Sequence, residues 1–429
     1  MNDIRTPRPD IDSVSGLRNH PLRKRLSREM HVRKLPPLQA PGRLMQFVLH
    51  SPPESVNQEL ELLGRYCGIS SGEISDRAYV KGKFGSISVV WERHTEFSSY
   101  MFIRQGSSQP PFCIEAFAEI PGEWLNSLPG EVLRATQVAI LDREDPDVIA
   151  QSFSAEDIVG CDIADGGARL WSDFRLHDDG FGRLLVINRS LTANEIALAV
   201  QRAQELGNYR NMALLGLPVA QQLTPTVTEF ERQLAELTGS ISASTATDAE
   251  ILHDLSVLSA DLARVMADTR YRMSASRAYA EIVTDRLNSL RIGRIPGYQT
   301  LADFTDRRLL PAVRTCISFS ARLEDLSQRV AWTTSLLRTR VDTSLSQQNR
   351  DLLASMDRRT YLQLRLQQTV EGLSTVAIGY YMLGLFGYLV RGIERELPLD
   401  HDIVLALLVP VALFCAWFLA KRIVHIKAS

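Results

Sequence analysis

The chain has 429 residues, 45% hydrophobic and 23% charged, with a formal net charge of -2. That is enough apolar material for a core of two or three domains, and the near-neutral balance gives no global attraction to nucleic acid or acidic partners. Five dispersed cysteines (Cys67, Cys113, Cys161, Cys316 and Cys415) form no close pair, which argues against a disulfide framework or a zinc site and fits a reducing compartment.

Residues 1–41 read as a basic arm with no apolar run of the kind a secretory signal needs. Within it, PLRKRLSREMHVRK carries Arg23, Lys24, Arg25 and Arg28, and Leu22, Leu26 and Met30 recur every four residues. An apolar stripe on a basic helix is expected either to lie on an anionic bilayer surface or to dock on the protein's own body.

Residues 42–190 alternate short strand-like runs with turns and read as an α+β domain on the cytoplasmic side. GRLMQFVLH, RAYVKGKF, SISVVWERH, EFSSYMFIR and TQVAILD are expected strands. PPESVNQELELLGRYCG shows helical spacing at Leu60, Leu62, Leu63 and Tyr66. Asp179-Gly180 marks a hairpin turn between ARLWSDFRLH and GRLLVINR.

Three patterns in this region touch chemistry. Gly68-Ile69-Ser70-Ser71-Gly72 fits the hydrolase pattern G-x-S-x-G, but it follows a helix and precedes a strand, so a helix-ending loop is expected. Glu92, His94 and Glu96 alternate and would share one strand face, where they are candidate metal ligands or acid/base groups; a polar strand face bonded to its neighbours is the favoured reading. Asp162, Asp165 and Gly166-Gly167 lack an EF-hand ligand pattern and read as a turn. No P-loop, dinucleotide fingerprint or HExxH is present, and neither an enzyme nor a cofactor is expected.

Residues 191–369 change to a helical period. One helix is expected from about Thr192 toward Thr238, interrupted at Gly216-Leu217-Pro218 and again at Pro225. A second starts at a capping Asp248 and reaches about Arg291, and RIGRIPGYQT is a turn. A third starts near Leu301 and runs on as a stalk, with Leu323, Leu326, Val330 and Leu337 on one coiled-coil-like seam.

Two uncharged runs follow in residues 370–420, at 372–390 and 403–420, and each approaches the ~20 residues that span a bilayer as a helix. A transmembrane hairpin of two helices is expected, its first span packed inward through Gly372, Gly379, Gly384 and Gly387, its second facing lipid. Arg358, Arg359 and Arg365 before the first run, and Lys421, Arg422 and Lys427 in the basic tail 421–429, place both termini in the cytoplasm.

Several long segments carry a family resemblance: HPLRKRLSREMH and APGRL near the start, WERHTEFSSYMF, YRMSASRAYAEIV, LLRTRVD, SMDRRTYLQLRLQQTVEGLSTVAIGYY and GLFGYLV. On these the chain resembles bacterial membrane-anchored proteins grouped as a domain of unknown function. The resemblance implies an inner-membrane location and carries no activity. The order of parts also resembles, more distantly, the CorA-type magnesium channels, homopentamers whose first spans line a pore. Their Gly-Met-Asn signature is replaced here by Gly387-Tyr388-Leu389. That resemblance implies self-association through stalk and first span, with Glu371, Thr375, Gly379, Gly384, Gly387 and Tyr388 as pore or packing positions and a cation as a partner. Two functions follow as expectations: an oligomeric ion channel or transporter without the Gly-Met-Asn signature, or a membrane-tethered scaffold that neither transports nor catalyses.

Overall fold

The structure is a computed structural model that describes residues 20–23, 26–27, 34–67, 78–106, 110–243, 246–393, 406, 409–415 and 417–418. Nine strands form one mixed sheet: β1 Gly42–His50, β2 Tyr79–Phe84, β3 Ile87–Arg93, β4 Phe97–Gln105, β5 Glu131–Leu141, β6 Val159–Ile163, β7 Ala168–Ser172, β8 Gly182–Asn188 and β9 Gly293–Arg294. Their order across the sheet is β2-β3-β4-β1-β5-β8-β7-β6-β9. β5 and β8 pair in parallel, and the other pairings are antiparallel.

Helices cover both faces of the sheet, which explains why the central strands are apolar at successive positions. The short helices are α1 Val56–Cys67, α2 Gly122–Ser127 and α3 Pro146–Ser152; the long ones are α4 Ala193–Leu214, α5 Gly216–Ala243, α6 Asp248–Ser289 and α7 Leu301–Ile393. Because successive strand residues point to opposite faces, Leu44, Val138, Ile140, Leu184 and Val186 pack with Ile196 and Val200 of α4, Val283 of α6 and Leu309 of α7. Met45, Val89, Trp91, Tyr100 and Phe102 point the other way and pack with Leu63 of α1 and Trp124 of α2. The RIGRIPGYQT turn also adds a strand, since β9 lies within it.

Three of the long helices begin with a recurring cap. Thr192 with Glu195 at the start of α4, Thr247 with Glu250 at the start of α6, and Thr300 with Asp303 at the start of α7 make side-chain and backbone hydrogen bonds. These bonds satisfy amides that a helix start leaves open. The cap of α6 is therefore Thr247, one residue before the expected Asp248. The break at Gly216 also has a packing cause: a Cβ there would lie 2.4 Å from Ser276 Oγ of α6 and 3.1 Å from Cys316 Sγ of α7. Pro225, an expected interruption, lies inside α5.

Gly160 on β6 meets a stricter limit, because its Cβ would sit 2.3 Å from the ring of the buried Trp171. Gly160→Val is expected to destabilise the sheet by about 1–3 kcal/mol through overpacking. A lowered denaturation midpoint is the check, and an unchanged midpoint would show that the ring can move aside.

The chain divides into two compact units, Met1–Thr245 with His253–Ala331, and Ala246–Leu252 with Trp332–Ser429. The first holds the sheet. It also buries Val227, Phe230 and Leu234 of α5, Leu255, Leu258 and Leu262 of α6, and Phe319, Leu323, Leu326 and Val330 of α7. In the second unit Ile251 and Leu337 are buried and Arg340 Nε lies 3.3 Å from Asp248. From residue 342 to 374 every side chain of α7 is exposed.

The expected transmembrane hairpin is corrected here. Among the described residues one helix, α7, is long and apolar enough to cross a membrane. In the second uncharged run, 403–420, residues 406, 409–415 and 417–418 are helical, and the rest of the run lies outside the described residues. Residues 394–405 lie outside the described residues. Within this chain a Cβ added at Gly372, Gly384 or Gly387 would meet nothing within 4 Å, whereas Gly379 is buried. Leu373, Val376 and Tyr381 in the same run are at least 70% exposed.

Candidate functional site

Of the sequence-derived candidates, the Glu92, His94 and Glu96 set comes apart. β3 ends at Arg93, and His94 N–H donates to Phe97 O at 2.8 Å, so alternation stops in a tight turn. Glu92 Oε2 stays 3.7 Å from His94 Nε2, and the imidazole stacks on Phe97 at 4.2 Å. Glu96 turns away to pair with Arg272 of α6. Among the described residues no group of three His, Cys, Asp or Glu is placed to hold a metal ion.

The pore and packing candidates are strung along α7. Glu371 and Gly384 are exposed, Thr375 and Gly387 half-buried, Gly379 buried, and Tyr388 is 74% exposed. Thr375 Oγ1 donates to the Glu371 carbonyl at 2.9 Å, a bond within the helix. Of the membrane-surface candidates, Arg23 is exposed, as are Leu22 and Leu26 of the expected stripe, whereas Lys24, Arg25 and Arg28 lie outside the described residues. So does all of Gly68–Gly72. Asp165 has a left-handed backbone and pairs with Arg291, as befits a turn.

The most concentrated chemistry is a cavity of about 380 Å³ between the β5–β8–β7 part of the sheet and α4. β5 presents Arg134 and α4 presents Arg210; Arg175 and Arg183 also line the cavity, paired with Asp157 and Asp179, and Leu133, Leu170, Leu176 and Leu206 line much of the remainder. Among the described residues no aspartate or glutamate lines it. Arg134 Nη1 donates to the amide oxygens of Gln46 at 2.9 Å, Gln204 at 2.6 Å and Asn208 at 2.8 Å. These partners are neutral, so the charge itself is uncompensated. Gly207 lets the guanidinium approach α4, because a Cβ there would lie 2.7 Å from Arg134 Cζ.

Arg210 lies over the Phe174 ring at 4.6 Å, and Phe174 stacks on Phe304 of α7 at 4.2 Å. Phe174 holds φ 53°, a left-handed conformation costly for a bulky side chain. Arg210 Nη1 is sealed from solvent and has no hydrogen-bond partner among the described residues. Burial lowers the Arg210 guanidinium to about 10. Burial, with Arg210's charge adding to it, lowers Arg134 to about 9. Both stay cationic at neutral pH.

No sequence signal identified this pair. The two arginines are far apart in the chain and each belongs to an unremarkable segment.

A profile of the family described as a protein of unknown function, DUF3422, matches residues 18–426. The chain belongs to this family. The match spans the sheet, the long helices and the uncharged runs, so the DUF3422 unit includes the fold and the arginine-lined cavity together. No curated protein and no solved structure matches the chain, and the expected likeness to CorA-type channels finds no support.

Proposed function

We propose that this DUF3422 protein is a membrane-tethered, self-associating scaffold: the apolar end of α7 lies in a bilayer and the sheet-bearing unit works in the cytoplasm. The observation that carries the reading is an 18-residue window of α7 with mean hydropathy 1.3, only 6% of which is buried. Exposed apolar surface on that scale is unfavourable in water at about 25 cal/mol per Å² and favourable in lipid. Arg358, Arg359 and Arg365 precede the window, and the positive-inside bias then puts the preceding chain on the cytoplasmic side of a bacterial inner membrane. Exposed Leu345, Leu352, Met356 and Leu366 on the charged part of α7 supply a surface for a second copy. The reading assigns no residue of α7 to ion passage.

The test is fractionation of the full-length protein, followed by its mass in detergent. The expected result is a membrane pool that resists alkaline washing and a particle larger than one chain. A washable protein overturns the tether, and a monomer overturns self-association.

A further inference from the structure

We propose that the cavity between β5 and α4 binds a small molecule with an oxyanion head, phosphate or carboxylate, on an apolar body, Arg210 supplying the recognising donor. This inference concerns the sheet-bearing unit alone and stands whether or not α7 enters a membrane.

A guanidinium removed from water is costly unless an anion or a full set of acceptors faces it. Arg134 has three neutral acceptors, Gln46, Gln204 and Asn208, all at Nη1. Arg210 Nη1 is unpartnered and sealed, so a ligand would meet the rest of the guanidinium, which lines a wall without a carboxylate, while Arg175 and Arg183 on that wall are already paired with Asp157 and Asp179. Arg134 and Arg210, both buried on this cavity, also repel each other, Arg210's charge adding to the burial that lowers Arg134. An oxyanion removes both penalties, because it accepts from Arg210 and offsets the shared positive charge. The planar fork of arginine matches the spacing of carboxylate and phosphate oxygens. The volume is that of a small-ligand pocket, and the leucine lining asks for an apolar portion beside the charged head. Phe174 and Phe304 fix Arg210 from beneath, so its donors are pre-positioned.

The test is calorimetric titration of the full-length protein with phenyl phosphate, benzoate and benzyl alcohol. Phenyl phosphate or benzoate is expected to bind at millimolar concentration or better, whichever is tighter naming the head group, and uncharged benzyl alcohol at least about tenfold more weakly. Arg210→Leu is expected to weaken the anion by roughly 10- to 100-fold. Arg210→Lys is expected to recover part of that loss as a point charge without the fork. Arg210→Leu is also expected to leave the ligand-free melting temperature unchanged or higher, because it removes a buried unpaired donor. Failure of both anions to bind, equal binding of the alcohol, or undiminished anion binding by a folded Arg210→Leu protein would each overturn the proposal. If Arg210→Leu does not fold, the same titration of Arg210→Lys decides it, unchanged affinity being the adverse result.

Discussion

Glu59→Ala is expected to destabilise the sheet-bearing unit by about 3–5 kcal/mol, the usual result of removing one partner of a buried ion pair. Glu59 lies on α1 with its side chain fully buried. One carboxylate oxygen accepts from Trp91 Nε1 and from Tyr100 OH, both at 2.8 Å. The other accepts from Ser55 Oγ at 2.8 Å, Ser51 Oγ at 3.1 Å and Arg93 Nη1 at 3.3 Å. Arg93 also donates to Ser98 Oγ at 2.9 Å and to the Ser51 carbonyl at 3.0 Å. Burial, then the Glu59 charge and its hydrogen bond, push the Tyr100 hydroxyl well above its ordinary range, so it remains a donor.

Alanine would leave a buried guanidinium and two aromatic donors without their acceptor. Glu59→Gln keeps one acceptor oxygen and is expected to cost less. Urea unfolding followed by tryptophan fluorescence is well suited, since Trp91 and Trp124 share this cluster. An alanine variant with the parental midpoint would mean that water reaches Arg93 and replaces the carboxylate.

The second large effect is expected in the membrane-directed part of α7. Ile378 and Leu385 are 61% and 64% exposed, so replacing them removes little packing among the described residues. The pair Ile378→Asp and Leu385→Asp exchanges two insertion-favouring side chains for two opposing ones. At about 3–4 kcal/mol per exchange near the bilayer centre, the change totals roughly 6–8 kcal/mol. The apolar run gains only several kcal/mol from its aliphatic residues on the same scale. The doubly substituted full-length protein is therefore expected to leave the washed membrane fraction. Retention there would place the anchor elsewhere in the chain.

The two sites differ in how far they could be read without coordinates. The strand GRLMQFVLH coincides with β1, and the break at Gly216 separates α4 from α5. Both come from local signals, apolar patterning in one and Gly with Pro in the other. The helix beginning near Leu301 is likewise local, its start set by the Thr300 and Asp303 cap. Glu59 left no such trace. A glutamate beside Leu60 reads as the solvent side of an amphipathic helix, and its burial depends on Arg93 and Tyr100 arriving from two other strands. The Glu92, His94 and Glu96 pattern misled for the converse reason. Alternation places side chains on one face only while the strand continues, and β3 stops at Arg93.

The sequence alone determined the long uncharged run after Glu371, which is a property of composition. It also determined the apolar alternation of the strands and the starts and breaks of the long helices, which depend on residues within one turn of each other. Only the tertiary structure decided the strand order, the exposure around the glycines of the uncharged run and the absence of a hairpin among the described residues. It alone also brought Arg134 and Arg210 onto one cavity without a carboxylate. Each of these depends on which distant segments meet. A buried charge is recognised by the partners it has or lacks in space, and sequence order does not carry that information.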